Sequence, residues 1–208
     1  MIIREYGDSA ARVILVQPVG QHELPLIDDE IVQIGQMTDR PFRYLAVQVE
    51  NWNRDLSPWP APAVFGDEDF GDGAEALLEK ILPLCAEQDK DYIIGGYSLA
   101  GLFALWAGSQ SERFSAVAGV SPSVWFPGYG DYEQAHPIRA EHVYLSLGDR
   151  EEQTKNRAMA AVGNEIRALY ARLQTRKTDC ALEWNAGNHF REPERRVAKG
   201  VKWMLDSL

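Results

Sequence analysis

The chain has 208 residues and a formal net charge of −10, and 45% of its residues are hydrophobic. This length is sufficient for one core, so we expect residues 1–208 to form a single domain. The acidic balance argues against a nucleic-acid partner, because no basic patch stands out to neutralise phosphates. We find neither an apolar run of membrane-span length nor a secretion-signal pattern, and therefore expect no membrane partner and a cytoplasmic location. Cys85 and Cys180 lack metal-site spacing and are expected to be free thiols.

Strand-like and helix-like patterns alternate along the whole sequence. Most of the strand-like runs are continuously apolar, which favours a mainly parallel sheet of about six strands with helices on both faces. The predicted strands are residues 12–17, 43–49, 92–95, 115–120, 143–147 and 180–184, with a possible edge strand at 2–6. The predicted helices are residues 23–36, 72–87, 99–107, 156–173 and 194–208. Pro83 should end or kink the second of these helices. Residues 51–62 and 121–130 are interpreted as loops rich in proline and aromatic residues.

The most informative stretch is residues 92–106, in which an apolar strand is followed at once by an apolar helix. Gly96-Tyr-Ser-Leu-Ala100 lies between them, with a small residue two positions on either side of Ser98. Such spacing is typical of a nucleophile elbow, where a sharp strand-to-helix turn lifts a serine hydroxyl above the sheet. The turn also places that hydroxyl at a helix N-terminus, which favours developing negative charge.

Three residues with hydrolytic chemistry follow predicted strands in the order Ser98, Asp149, His189. Ligands bind parallel sheets at the carboxyl ends of the strands, so these side chains should meet at one edge. A serine needs a base to become a nucleophile, and the base needs an acid that fixes its tautomer. The order Ser, Asp, His is the one expected on this type of sheet.

The choice of base and acid leaves alternatives open. The other histidines fit the site less well than His189; they are His22, His136 and His142. Asp149 is closest to its strand end, whereas Glu151 and Glu152 could instead complement the N-terminus of the following helix. Either glutamate could nevertheless be the acid.

The remaining parts of the predicted site are an oxyanion hole and a substrate pocket. One backbone donor should be the N–H of Leu99, and the other should follow the first strand, with Val19 as first choice and Gly20 as second. Trp52 and Trp125 are expected to shape the substrate pocket. Further loop aromatics could contribute to the wall or simply pack; they are Trp59, Phe126 and Tyr129.

The elbow, the segment Ser121-Pro-Ser-Val-Trp125, the acid segment around Gly148 and the segment Gly187-Asn-His189-Phe together resemble a branch of the α/β-hydrolase superfamily. That branch contains esterases of the esterase D, feruloyl esterase and enterochelin esterase type. The resemblance covers nearly the whole chain and implies a Ser-Asp-His hydrolase without a large cap domain.

We therefore expect a serine hydrolase that acts on a small-molecule carboxylic ester without a cofactor or metal. A thioesterase, acyltransferase or peptidase would use the same residues, and the sequence does not separate these reactions. A non-catalytic binding protein on the same scaffold is the alternative from another class, although such a protein would be expected to have lost part of the triad.

Overall fold

The computed structural model describes residues 2–208, and over this range it contains one sheet of seven strands. The order across the sheet is β1-β3-β2-β4-β5-β6-β7. β1 is antiparallel to β3 and all other neighbours are parallel, which confirms the mainly parallel sheet. The strands are β1 (Ile2–Gly7), β2 (Val13–Val19), β3 (Phe42–Gln48), β4 (Asp91–Tyr97), β5 (Phe114–Val120), β6 (His142–Gly148) and β7 (Asp179–Asn185).

Helices cover both faces of the sheet, as the continuous apolar strands predict. They are α1 (Ile27–Met37), α2 (Trp52–Asp55), α3 (Ala74–Ile81), α4 (Ser98–Gln110), α5 (Tyr129–Ala135), α6 (Arg157–Ala160), α7 (Val162–Thr175) and α8 (Pro193–Ser207). α3, α4 and α7 pack through one apolar cluster, and α1 and α8 pack through a second one. Within residues 2–208, no helix combines the length and the apolar character that crossing a bilayer requires.

The predicted helices differ from the observed ones where proline or helix breaks intervene. The expected helix at 23–36 begins as the 3-10 turn Leu24–Leu26 before α1, with a proline in its first positions. Pro83 lies in the 3-10 turn Leu82–Cys85 that follows α3, which confirms its predicted effect. The expected helix at 156–173 is divided into α6 and α7.

The first predicted loop contains a short helix, and another short helix begins at the end of the second loop. α2 lies in the first loop, where the Asn51 side chain accepts a hydrogen bond from the Arg54 N–H and caps the helix. α5 lies between β5 and β6 and has seven residues. Within residues 2–208 it is the only helix between these strands, so the described chain has no cap domain there.

The carboxyl ends of β2, β4, β6 and β7 lie at one edge of the sheet because these strands are parallel. The sequence places Ser98 directly after β4, Asp149 directly after β6 and His189 four residues after β7. Their convergence at this edge follows from the topology.

Candidate active site

The turn at Ser98 has the tight geometry expected from its small neighbours. Ser98 has a φ of 58°, a left-handed conformation, and is the first residue of α4. A Cβ at Gly96 would lie 2.6 Å from the backbone of Ala100, and one at Gly101 would lie 2.9 Å from the Gly96 carbonyl oxygen. Larger residues at either glycine would force the turn apart. The strained backbone thus holds the Ser98 hydroxyl above the sheet edge.

A chain of hydrogen bonds connects Ser98 to a histidine and then to a carboxylate. The Nε2 atom of His189 lies 3.0 Å from Ser98 Oγ. The Nδ1 atom of the same ring lies 2.7 Å from Glu151 Oε2. With a proton on Nδ1, His189 can accept the serine proton at Nε2 while the carboxylate stabilises the imidazolium that forms.

The structure corrects the expectation for Asp149. Its Oδ1 atom accepts a hydrogen bond from the Gly187 N–H at 2.7 Å, and its own N–H donates to the Asn185 carbonyl oxygen. Asp149 therefore connects the end of β6 to the loop that carries His189. Its side chain is directed at the backbone of that loop, and the histidine ring faces Glu151 instead.

Glu151 reaches His189 because a 3-10 turn, Glu151–Gln153, bends the chain back over the end of β6. Its Oε1 atom accepts hydrogen bonds from the Ser121 hydroxyl at 2.7 Å, the Gly148 N–H at 2.7 Å and the Arg196 guanidinium at 2.8 Å. Its Oε2 atom forms the hydrogen bond with His189 Nδ1. Burial raises the pKa of Glu151, but the hydrogen bonds and charge of its neighbours, first of all His189, outweigh burial and lower the pKa below its usual value.

Arg196 is the counter-ion of this buried carboxylate and was not predicted from the sequence. The Arg196 side chain extends from α8 into the protein and is only 2% exposed. It also donates to the Ser121 hydroxyl at 3.1 Å and to the Asn188 carbonyl oxygen at 2.9 Å. Arg196 therefore ties Glu151 to the loop before His189. Its position next to the inward-facing Val197 is the sequence signal that could have identified it.

Among the described residues, no histidine other than His189 hydrogen-bonds Ser98, although His22 lines the same cavity. His22 packs edge-on against Trp52, with ring centroids 4.9 Å apart, and burial lowers its pKa. Nδ1 of His136 lies 3.1 Å from the carbonyl oxygen of Tyr132, and Nδ1 of His142 lies 2.8 Å from Asp179 Oδ2. Of the four histidines, the structure brings His189 to Ser98.

The predicted oxyanion donors have different geometries. Leu99 is the second residue of α4, so its N–H has no partner within the helix. The carbonyl oxygen of Val19 accepts a hydrogen bond from the Val49 N–H. The N–H and C=O of one strand residue point to the same side, so the Val19 N–H points to β3, contrary to our first choice. The N–H of Gly20 leaves the ladder and donates to Glu23 Oε2 at 2.9 Å.

Ser98 and His189 line a cavity of about 860 Å³. Trp52 and Trp125 line it as well, and the structure adds Phe65 and Phe190, which are 50% and 85% exposed. The other loop aromatics pack away from the cavity, which supports the packing interpretation for them; they are Trp59, Phe126 and Tyr129. In residues 2–208, no group of three or more His, Cys, Asp or Glu side chains is arranged to hold a metal ion.

Comparison with solved structures gives matches over almost the entire chain. An IroE-like serine hydrolase from Shewanella oneidensis aligns with a TM-score of 0.79 and 12% identity, covering 98% of this chain and 75% of that one. The siderophore hydrolase EstA from Aspergillus nidulans aligns with a TM-score of 0.70 and 16% identity, covering 99% and 89%. The chain has the α/β-hydrolase fold. The structural neighbours are those expected from the sequence resemblance.

The enterobactin esterase FES from Shigella flexneri aligns with a TM-score of 0.65 and 17% identity over 99% of this chain. This chain spans 55% of the length of that esterase. No protein-family model matches this chain, and no curated protein sequence matches it.

Proposed function

We propose that this protein is a serine hydrolase that cleaves carboxylic esters, with Ser98 as nucleophile, His189 as general base and Glu151 as the acid. The observation that carries the proposal is the hydrogen-bonded chain from Ser98 through His189 to Glu151, located at a cavity large enough for a small molecule. The serine hydrolases and esterases among proteins of the same fold support it.

The reaction would proceed in two halves. Ser98 Oγ attacks the ester carbonyl carbon and forms a C–O bond, while its proton moves to His189 Nε2. His189 then delivers that proton to the leaving alkoxide oxygen as the original ester bond breaks, which leaves an acyl group on Ser98. A water molecule repeats both steps, releasing the acid and restoring the serine. Throughout, Glu151 keeps the proton of Nδ1 in place and stabilises the imidazolium.

The tetrahedral oxyanion would be stabilised by backbone N–H groups. We assign the Leu99 N–H as one donor, because it lies next to the nucleophile at the start of α4. Gly20 becomes the better second donor, since its N–H has left the ladder; it would exchange its hydrogen bond with Glu23 Oε2 for one with the oxyanion. Each donor would lower the activation barrier by about 3–4 kcal/mol, which is the usual loss when one such donor is removed.

The substrate would be a small-molecule ester bound between aromatic side chains. Trp52 and Trp125 form walls of the cavity that contains Ser98, so we assign them to substrate binding. Two of the structural neighbours are named as a siderophore hydrolase and an enterobactin esterase. Ester hydrolysis is therefore the acyl-transfer reaction that we favour.

Hydrolysis of p-nitrophenyl esters of increasing acyl length tests this proposal. The unmodified protein should hydrolyse some members of the series, and Ser98→Ala should lower kcat/KM by at least about 10⁴-fold, because the triad acts as a unit. Ser207→Ala is the matched control, since this serine lies at the end of α8 and donates to the Trp203 carbonyl oxygen. Equal rates for Ser98→Ala and Ser207→Ala would contradict the proposal.

A further inference from the structure

The cavity has a second part whose side chains take no part in the proposed proton transfers. We call it the acidic arm; it consists of Gln17 on β2, Glu23, Glu30 on α1 and Glu194 on α8. The arm lies between α1 and α8, which pack together on one face of the sheet. All four residues line the same cavity as Ser98.

Two side chains of the acidic arm are buried, and each has one oxygen atom without a hydrogen-bond partner. Gln17 is 3% exposed and Glu30 is 5% exposed. Among the described residues, no donor lies within hydrogen-bond distance of Gln17 Oε1 or Glu30 Oε1, and the Tyr44 hydroxyl next to Glu30 is likewise unpartnered. A buried acceptor without a donor destabilises the fold, and more so when it is charged. A ligand that brings N–H donors to these atoms would remove that penalty.

The acidic arm also lacks a counter-ion. Across residues 2–208, none of Glu23, Glu30 and Glu194 has a salt-bridge partner within 4.0 Å. Two arginines lie near the cavity, but they pair with other carboxylates. Arg196 forms an ion pair with Glu151. Arg150, also in the cavity wall, lies beside Asp149 at the end of β6.

The pKa values of Glu23 and Glu30 are raised, as expected of buried carboxyl groups without a positively charged neighbour. Burial raises the pKa of Glu23 to about 7. Burial raises the pKa of Glu30 to about 8, and the charges of Glu23 and Glu194 add to that rise. The neighbouring Tyr44 hydroxyl and Gln17 amide oppose the rise only in part. An approaching cation would favour the ionised carboxylates again.

We propose that the acidic arm binds a primary ammonium group of the substrate, so that the preferred ester carries this cation on its acyl or alcohol part. The inference rests on the proposed ester hydrolysis and names the class of ester for that site. An ammonium offers three N–H donors, which match the unpartnered oxygens of Gln17 and Glu30. Leu26, Ile27 and Val197 line the cavity near the arm and would pack against the methylene groups that connect the ammonium to the ester.

Protection of Ser98 from a neutral fluorophosphonate tests the inference. n-Hexylammonium, n-hexanol and hexanoate have the same chain length and differ in the charge of the head group. We expect n-hexylammonium to protect about 10-fold or more better than n-hexanol, because hydrogen bonds to charged groups are stronger than those between neutral groups. Hexanoate should protect least, since its negative charge would meet three acidic side chains.

Variants that replace a carboxylate with an amide of the same shape test whether the preference for the ammonium arises from the acidic arm. Glu30→Gln should reduce the ratio of ammonium to alcohol protection by about 10-fold, and Glu23→Gln should reduce it in the same direction. Asp29→Asn is the control, because this exposed residue of α1 does not line the cavity. The inference is overturned if the two head groups protect equally in the unmodified protein, or if Glu30→Gln and Asp29→Asn give the same ratio.

Calorimetry of n-hexylammonium binding provides a readout that needs no catalysis. At pH 7 Glu30 is mostly protonated, so binding the cation should release protons, detected by comparing buffers of different ionisation enthalpy. The titratable groups that face Glu30 are Glu23, Glu194 and Tyr44. Release should fall in Glu30→Gln; binding without proton release would contradict the inference. Absence of labelling at Ser98 with intact ammonium binding would instead refute only the ester hydrolase function.

Discussion

Replacement of Glu151 by Gln should abolish the base function of His189 through the tautomer of its ring. Three donors surround Glu151 Oε1, so the carbonyl oxygen of a glutamine must occupy that position. Its NH₂ group then faces His189 Nδ1, where Glu151 Oε2 lies at 2.7 Å. Nδ1 must accept that hydrogen bond, which places the ring proton on Nε2. A protonated Nε2 cannot take the proton of Ser98.

We expect Glu151→Gln to lower kcat/KM by about 10⁴-fold, or about 5 kcal/mol of transition-state stabilisation, as in other triads that lose the acid. Asp149→Asn is the matched control. Its amide oxygen can still accept the Gly187 N–H, so the rate should stay within about 3-fold and the free energy of unfolding within about 1 kcal/mol. Steady-state hydrolysis of a p-nitrophenyl ester measures the rates.

Glu151→Gln should also destabilise the fold, because it leaves Arg196 buried without its counter-ion. Loss of one partner of a buried ion pair typically costs about 3–5 kcal/mol. Urea unfolding would measure this cost, and rates must be expressed per folded molecule. Glu151→Gln/Arg196→Gln should recover part of the stability but none of the rate. The assignment of Glu151 as the acid is refuted if Asp149→Asn loses most of the activity while Glu151→Gln keeps it.

The remaining predictions concern the base, the pocket and the acidic arm. His189→Ala should reduce ester hydrolysis about as strongly as Ser98→Ala, since the two act as a unit; retained turnover would point to another base. Trp52→Ala or Trp125→Ala should change the preference for acyl length in the p-nitrophenyl series while Ser98 still reacts with a fluorophosphonate. The raised pKa of Glu30 means that the folded state binds its proton more tightly than the unfolded chain. The tighter binding of this proton therefore contributes fully to the free energy of unfolding below about pH 4.5, and the contribution is lost as the pH rises through about 8. Its upper limit is on the order of 5 kcal/mol. Urea unfolding at pH 6 and pH 9 should show a smaller difference in Glu30→Gln than in the unmodified protein.

The sheet and the elbow could be predicted from the sequence because their signals are local. A continuous apolar run defines each inner strand, and small residues around Ser98 permit only one kind of turn. Helix breaks at Ala161 and the short helix α2 were missed, since they depend on caps and packing that the apolar spacing does not encode. The Asn51 cap of α2 is an example.

The carboxylate that contacts His189 was misassigned because chain distance from the strand end is a poor guide to where a carboxylate reaches. Asp149 comes first after β6, but the 3-10 turn at Glu151 returns the longer side chain to the histidine. The decisive partner, Arg196, lies 45 residues further along the chain. A contact over such a separation depends on how α8 packs against the sheet. The unpartnered oxygens of Gln17 and Glu30 are equally invisible in the sequence, because burial and missing donors are properties of the folded chain.

Reaction with a fluorophosphonate, followed by mass spectrometry of the labelled peptide, tests most directly whether Ser98 is an activated nucleophile. The probe reacts with an activated serine and needs no knowledge of the natural ester. We predict a single adduct on Ser98 that disappears in His189→Ala. An adduct on Ser121 or Ser123, or no adduct on the folded protein, would contradict it.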